Sequence, residues 1–283
     1  AAVKSMRGMS LAGAVALGLF FICMEGTIIR ILLGAAGGKS GLLTCISYSF
    51  LGFFYSGITP SATGGQPMQL YEMKRDGNSV SSSTVVLMVT AVCYKLVLVC
   101  IGTFLLIFQG KMLRQYLGGY FGLYLLGLFL NLAITLVVTG MIVLPQWIIA
   151  GANIFDRLFV KLHLWKASES ADRQEKVRCF VQEYHRAVLF LKEHPGRLAA
   201  AFLLTFVQRS SAFVITWLVY CGMGLFGTNL WSVVFLQAAV TLAVDMLPVP
   251  GAQGITELVY RSTFAQIFIG GTLPVSMLSL IHI

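Results

Sequence analysis

Leu42 to Ile58 is an apolar run that stops at Thr59-Pro60-Ser61-Ala62-Thr63-Gly64-Gly65-Gln66-Pro67, after which a short amphipathic piece, Met68 to Lys74, leads to Arg75. The reading of these 34 residues decides the fold. A helix needs about 20 apolar residues to cross the hydrocarbon core, so the stretch is too short for two crossings. Arg30 and Lys39 precede it and Lys74 and Arg75 follow it, which puts both ends on the cytoplasmic side by the positive-inside rule. Residues 42–75 therefore read as a re-entrant hairpin that enters from inside. Proline supplies no N–H and glycine tolerates unusual dihedrals, so the break exposes backbone groups that lipid cannot satisfy; they must face protein, water or a ligand.

A second copy of the pattern follows near the C-terminus. Leu230 to Leu247 is apolar, Pro248-Val249-Pro250-Gly251-Ala252-Gln253-Gly254 breaks it, and Ile255 to Ile269 resumes as a helix. Between the two copies lie spans at Val80 to Phe108, Tyr120 to Leu144 and Leu198 to Met223, and a further span, Met9 to Leu33, precedes the first. Alternation across the membrane then makes the second hairpin, residues 230–269, enter from outside. Two interrupted segments of opposite sense are the sequence pointer to an inverted-repeat transporter with its site at the midplane. Half-helices starting near Gly65 and Gly254 direct N–H groups and positive dipole ends toward the centre, a geometry suited to phosphate.

Composition agrees with a life in lipid. Apolar side chains make up 57% of the 283 residues and charged ones 11%, with a mean hydropathy of +0.83; a soluble domain carries about 25% charge. The net charge of +9 suits anionic phospholipid, while so few exposed positions make a nucleic-acid surface hard to build. The six cysteines form no C-x-x-C or Cys/His cluster, so neither a metal site nor a cofactor is expected. The expected fold is all-α: a polytopic membrane protein with two re-entrant broken helices in an inverted-repeat-like arrangement. Its first membrane half covers residues 1–144 and its second 198–283. Ala1 is not an initiator Met, and the apolar run after Pro274 is too short to span, so the chain reads as part of a longer protein.

Residues 145–197 interrupt the apolar pattern with nine Lys or Arg against six acids, and the excess orients this segment inward. Ile154, Phe155, Leu158, Phe159, Leu162 and Trp165 recur at helical spacing, as do Val177, Phe180, Val181, Tyr184, Val188 and Leu191. Two amphipathic helices on the inner membrane surface are expected, separated near Ala167 to Ala171. The stretch with Lys111 and Arg114 reads as a short outer loop.

Ionisable groups inside spans cost several kcal/mol, by order of magnitude, and need a partner or a purpose. Lys95 and Arg209 sit mid-span, and Asp245 and Glu257 flank the second break as counter-charges. Arg261 follows Glu257 by four positions, the spacing of an ion pair on one helix face. Glu25 and Arg30 lie toward the inner end of their helix, within snorkelling reach of the interface. The candidate lipid-binding residues are accordingly Pro60, Thr63, Gly64, Gly65, Gln66, Lys95, Arg209, Asp245, Pro250, Gly251, Gly254 and Glu257. Gly34-Ala35-Ala36-Gly37-Gly38-Lys39-Ser40 suggests a P-loop, but three residues separate Gly34 from Gly38 where the motif requires four, and a membrane helix precedes it, which argues against nucleotide binding. Gly118-x-x-x-Gly122 has the spacing of a close helix contact. The four histidines are scattered, and no catalytic arrangement is apparent.

Two stretches resemble signature motifs of a known family. Thr59-Pro60-Ser61-Ala62-Thr63-Gly64-Gly65-Gln66-Pro67-Met68-Gln69-Leu70-Tyr71, with Lys74-Arg75-Asp76-Gly77, and later Pro248-Val249-Pro250-Gly251-Ala252-Gln253-Gly254-Ile255-Thr256-Glu257, are similar to those of the lysylphosphatidylglycerol synthase transmembrane family. This is the flippase-like membrane region of bacterial multiple peptide resistance factors and their stand-alone relatives. The resemblance implies a multi-pass protein of the bacterial inner membrane that handles phosphatidylglycerol or lysyl-phosphatidylglycerol and lowers the attraction of cationic antimicrobial peptides. Its implied partners are anionic phospholipid and the membrane, with a homo-oligomer left open. In full-length family members, transfer of lysine from lysyl-tRNA to phosphatidylglycerol belongs to a separate cytosolic domain that nothing here resembles. Two functions therefore compete: a lipid translocase, and the membrane portion of a phosphatidylglycerol lysyltransferase.

Overall fold

The computed structural model describes residues 8–59, 63–144, 146–162, 170–225, 227–245, 255–264 and 267. Among them the regular elements are all helical: α1 (Gly8–Ala35), α2 (Leu42–Ile58), α3 (Gly65–Arg75), α4 (Val80–Phe108), α5 (Gly110–Leu117), α6 (Phe121–Val143), α7 (Gln146–Lys161), α8 (Ser170–Lys192), α9 (Pro195–Gly222), α10 (Leu230–Val244) and α11 (Ile255–Phe264). Four stretches are long and apolar enough to cross a membrane: Gly8–Ala35, Val80–Phe108, Gly110–Val143 and Pro195–Gly222. They coincide with the four expected spans. The difference is at α5, which is helix and not loop. Leu113 and Leu117 stand one turn apart and bury completely against the core, and a turn of 3₁₀ helix, Gly118–Tyr120, joins α5 to α6.

On α6 the large aliphatic side chains face outward and small or polar ones inward, as expected where the solvent is lipid. On α6, Phe129 and Leu136 are exposed while Tyr124, Gly127, Asn131 and Thr135 are buried. Asn131 and Thr135 satisfy their side chains within the helix, Asn131 Nδ2 donating to the Gly127 carbonyl at 2.9 Å and Thr135 Oγ1 to that of Asn131 at 2.7 Å. The helices start where local chemistry allows. Ser79 caps α4 by accepting from the Ser82 N–H, and Asn229 caps α10 by accepting from that of Trp231, each satisfying one orphan donor.

The longest interface joins α1 to α9. They run antiparallel: Gly13 lies against Leu218, Phe21 against Gln208 and Gly34 against Arg197. Two apolar cores lie at opposite ends of α4. One holds Val85 to Cys93 of α4 with the C-terminal part of α1, α2, α8 and the start of α9. The other holds Leu98 and Leu105 of α4 with α5, α10, α11 and the C-terminal part of α9. The first broken pair, α2 and α3, thus packs at one end of the spans, and the second, α10 and α11, at the other.

Each pair is seated by a glycine. A Cβ on Gly26 would stand 2.6 Å from the Ile46 Cα, so α1 and α2 touch backbone to backbone there. On α6 it is Gly127, not Gly118 or Gly122, that makes the close approach: its Cβ would lie 2.2 Å from the Leu242 carbonyl oxygen of α10, whereas Gly118 and Gly122 have nothing within 4 Å.

The two amphipathic helices differ from each other in what they bury. Val181, Tyr184, Val188 and Leu191 of α8 are buried against α4 and its neighbours, with Ser81 Oγ donating to the Phe180 carbonyl at 3.3 Å. This apolar face is covered by protein instead of lying on lipid. On α7, by contrast, Ile154, Phe155 and Leu158 are exposed, as is Leu162 just beyond its end, a stripe available to the membrane surface. Residues 163–169, including Trp165 and most of the expected separator, lie outside the described residues.

Asp156 joins α7 to α8. Its carboxylate accepts from the Ser170 hydroxyl and from Arg173 Nε, the latter at 2.7 Å, and these bonds hold it below its ordinary value of 3.8, Ser170 contributing most. A carboxylate lowered in the folded state stabilises the contact above its unfolded value and loses that contribution as pH falls through the lowered one. The protection factor against hydrogen exchange at the Ser170 end of α8, corrected for the intrinsic pH dependence of exchange, is therefore expected to be high at pH 7 and to fall below about pH 3.8. Asp156→Asn should give fast exchange at pH 7 as well. Equal protection in both proteins would show that the contact does not hold the helix end.

Candidate functional site

The centre of the molecule is polar. Tyr94 is the middle residue of the 29 in α4, and Gln208 and Arg209 are the two middle residues of the 28 in α9. α10 is followed by its C-cap Asp245, beside Tyr94 and Lys95. Lys95 Nζ lies 2.5 Å from Asp245 Oδ2, and the Tyr94 hydroxyl donates to Oδ1. The two charged side chains are 14% and 13% exposed, so each has lost most of its hydration. Such a pair is tolerated because the carboxylate is matched on both oxygens.

Arg209 extends over two aromatic faces, 3.9 Å from the Tyr94 ring centroid and 4.8 Å from that of Phe21. A guanidinium stacks well on such faces. Among the described residues it has no carboxylate within 4.0 Å, and its buried Nε has no hydrogen-bond partner. On its other flank stands Glu25 of α1, which accepts from Gln69 Nε2 of α3 at 3.2 Å, while the Gln208 amide beside Arg209 donates to the Phe21 carbonyl at 3.0 Å. The expectation that Glu25 snorkels to the interface is not met: it turns inward and ties the first broken pair to α1, facing Arg209 of α9. The polar order is thus Gln69, Glu25, Arg209, Tyr94, Asp245 and Lys95, running from the α3 helix to the end of α10.

The candidate residues divide around this network. Lys95, Asp245 and Arg209 are brought together. Thr63 and Gln66 are exposed, and Gln69, one turn beyond Gln66, is the buried glutamine. Gly64 donates its N–H to Thr59 Oγ1 at 2.9 Å. Gly65 is buried where a Cβ would meet Ser56 Oγ at 2.1 Å and the Gly52 carbonyl at 2.6 Å, so α2 and α3 close tightly at the break. α3 begins at Gly65 and α11 at Ile255. Glu257 is exposed on α11, and its expected pairing with Arg261 is not formed among the described residues. Pro60, Pro250, Gly251 and Gly254 lie outside the described residues.

Sequence reasoning missed Gln69, Tyr94 and Gln208. Tyr94 and Gln208 adjoin the mid-span cations Lys95 and Arg209, and polar neighbours of a buried charge are the signal that could have found them. Among the described residues no group of three His, Cys, Asp or Glu could hold a metal, and none of the six cysteines is in a disulfide.

Long apolar helices around a charged centre, with a short broken pair at each end, define a polytopic membrane protein. Residues 1–282 match the family described as Lysylphosphatidylglycerol synthase TM region, and the chain belongs to that family. It is similar to a UPF0104 membrane protein of Pyrococcus horikoshii, 26% identical over 237 residues that cover 81% of this chain and 68% of the relative. No solved structure matches it at a significant level.

Proposed function

We propose that this protein binds and translocates a phosphatidylglycerol-type phospholipid, and that it serves lysyl-phosphatidylglycerol metabolism and cationic-peptide resistance in a bacterial inner membrane. The observation that carries the reading is Arg209: a guanidinium at mid-span, stacked on Tyr94 and Phe21, with a buried Nε that finds no acceptor among the described residues. A lipid phosphodiester supplies that acceptor, and the planar fork of arginine matches its oxygens. Glu25 and the Lys95–Asp245 pair keep the surrounding charge balanced whether or not the headgroup is present. In this reading the broken pairs at the two ends serve as the entry and exit of the headgroup, past the exposed Thr63 and Gln66 at one end and Glu257 at the other, while the acyl chains stay in lipid.

The test is headgroup accessibility of labelled phosphatidylglycerol in proteoliposomes. Arg209→Gln should slow translocation about tenfold or more, the size of a lost charge-assisted hydrogen bond. Arg209→Lys should not restore the rate, because an ammonium cannot reproduce the fork. Wild-type rates in both variants would overturn the route.

A second reading is favoured by the family's description as part of a synthase. In it the chain presents phosphatidylglycerol to a lysyl-transferring domain. Translocation by the purified chain alone supports the first reading; lipid lysylation that needs this chain, without translocation, supports the second.

A further inference from the structure

The stretch Gly34 to Ser40, set aside as a nucleotide loop, forms one wall of a cleft of about 430 Å³ lined by Arg30, Gly34, Gly38, Lys39, Ser40 and Gly41. It sits at the α1 end remote from Gly8, where α2 and α9 begin. Arg30 and Lys39 are its charged lining, and neither makes an ion pair among the described residues. A third cation adjoins them, since Arg197 Nη1 lies 3.2 Å from where a Cβ on Gly34 would stand. No carboxylate lines the cleft; the nearby Asp76 accepts from the Tyr48 hydroxyl at 2.6 Å.

The wall is held in place before any ligand arrives. Gly37, at φ +81°, ends α1, and the Gly38 N–H donates to the Leu33 carbonyl at 2.9 Å. Asn78, 8% exposed, accepts from the Lys39 N–H at 3.3 Å and donates to Ser40 Oγ at 3.0 Å and to the Met73 carbonyl at 3.2 Å. Ser82 Oγ donates to the Ala36 carbonyl at 3.3 Å. Two cations thus line a glycine-walled space that a third, Arg197, adjoins, and Leu42 and Leu43, 37% and 82% exposed, continue its edge as an apolar surface.

We infer that this cleft is a second lipid site, binding the phosphodiester headgroup of an anionic phospholipid in the leaflet at that end of the spans, with the acyl chains along Leu42 and Leu43. The cations neutralise the phosphate, glycine lets the headgroup approach the backbone, and the exposed leucines select a lipid over a soluble phosphate. The site is separate from the mid-span route and does not depend on it.

Native mass spectrometry of the detergent-solubilised chain, titrated with phosphatidylglycerol and with phosphatidylcholine, tests this. The wild type should hold one phosphatidylglycerol more tightly than phosphatidylcholine. Arg30→Gln with Lys39→Gln should weaken that lipid roughly 30-fold, the effect of removing two cations from a lipid surface. Gly34→Leu keeps every charge, fills the wall and favours the helix; it should weaken the same lipid at least tenfold by the loss of headgroup space. Unchanged binding in either variant overturns the assignment. Inorganic phosphate that displaces the lipid at equal concentration makes this a free-phosphate site and overturns the lipid assignment too. Arg209→Gln should retain this lipid, so failure of the translocation reading and failure of this one are told apart.

Discussion

Asp245→Ala is expected to destabilise the solubilised protein by about 3–5 kcal/mol, the cost of leaving one member of a buried ion pair without its partner. The Asp245 carboxylate receives the Lys95 ammonium at 2.5 Å on one oxygen and the Tyr94 hydroxyl on the other. Removing it takes the carboxylate away from an ammonium that is 14% exposed among apolar helices, where water cannot replace the lost contact. It also frees the end of α10 from its ion pair with α4. The double variant Lys95→Met with Asp245→Leu removes both charges at similar volume. It should recover most of the loss, because a buried pair is often worth no more than a well-packed apolar one. Thermal melting in detergent measures both. A single variant as stable as the wild type, or a double variant as damaged as the single, would show that the pair is not desolvated.

Gly127→Val should be almost as damaging, at about 3 kcal/mol or more, for a reason that involves no charge. A Cβ there would stand 2.2 Å from the Leu242 carbonyl oxygen, 3.0 Å from its carbon and 3.1 Å from the Ala243 Cα. These are backbone atoms, so no side-chain rotation relieves the overlap, and α10 must move away from α6. Leu242 is three residues before Asp245, so the displacement would also pull the carboxylate from Lys95. Gly122→Ala, on the same helix with nothing within 4 Å, is the control. It should be neutral or slightly stabilising, because alanine is the better helix former by about 1 kcal/mol. Matching melting temperatures for Gly127→Val and Gly122→Ala would refute the close approach.

The two sites illustrate different degrees of legibility in the sequence. Lys95, Arg209 and Asp245 announce themselves because a charge in an apolar run is costly, and their convergence follows from that cost. Glu25 carries the same signal, yet its position toward one end of the span made snorkelling the simpler expectation. Only its contact with Gln69, 44 residues away, shows which way it faces. Gly118 and Gly122 have the right spacing for helix packing but face open space, because spacing defines a helix face and not what lies opposite.

The sequence by itself determined that the chain is a helical membrane protein, where its spans run, and that its short apolar helices break at Pro and Gly. Those features rest on local chemistry: run length against bilayer thickness, missing N–H groups, and the positive excess of one segment. Tertiary structure alone decided that α1 packs along α9, that the broken pairs occupy opposite ends of α4, and that Arg209 meets aromatic rings instead of a carboxylate. It also decided that α8 buries its apolar face in protein while α7 leaves its own open. These outcomes depend on helix register, which is set by close backbone approaches at Gly26 and Gly127 and by partners as far as 187 residues apart, and no local pattern contains that information.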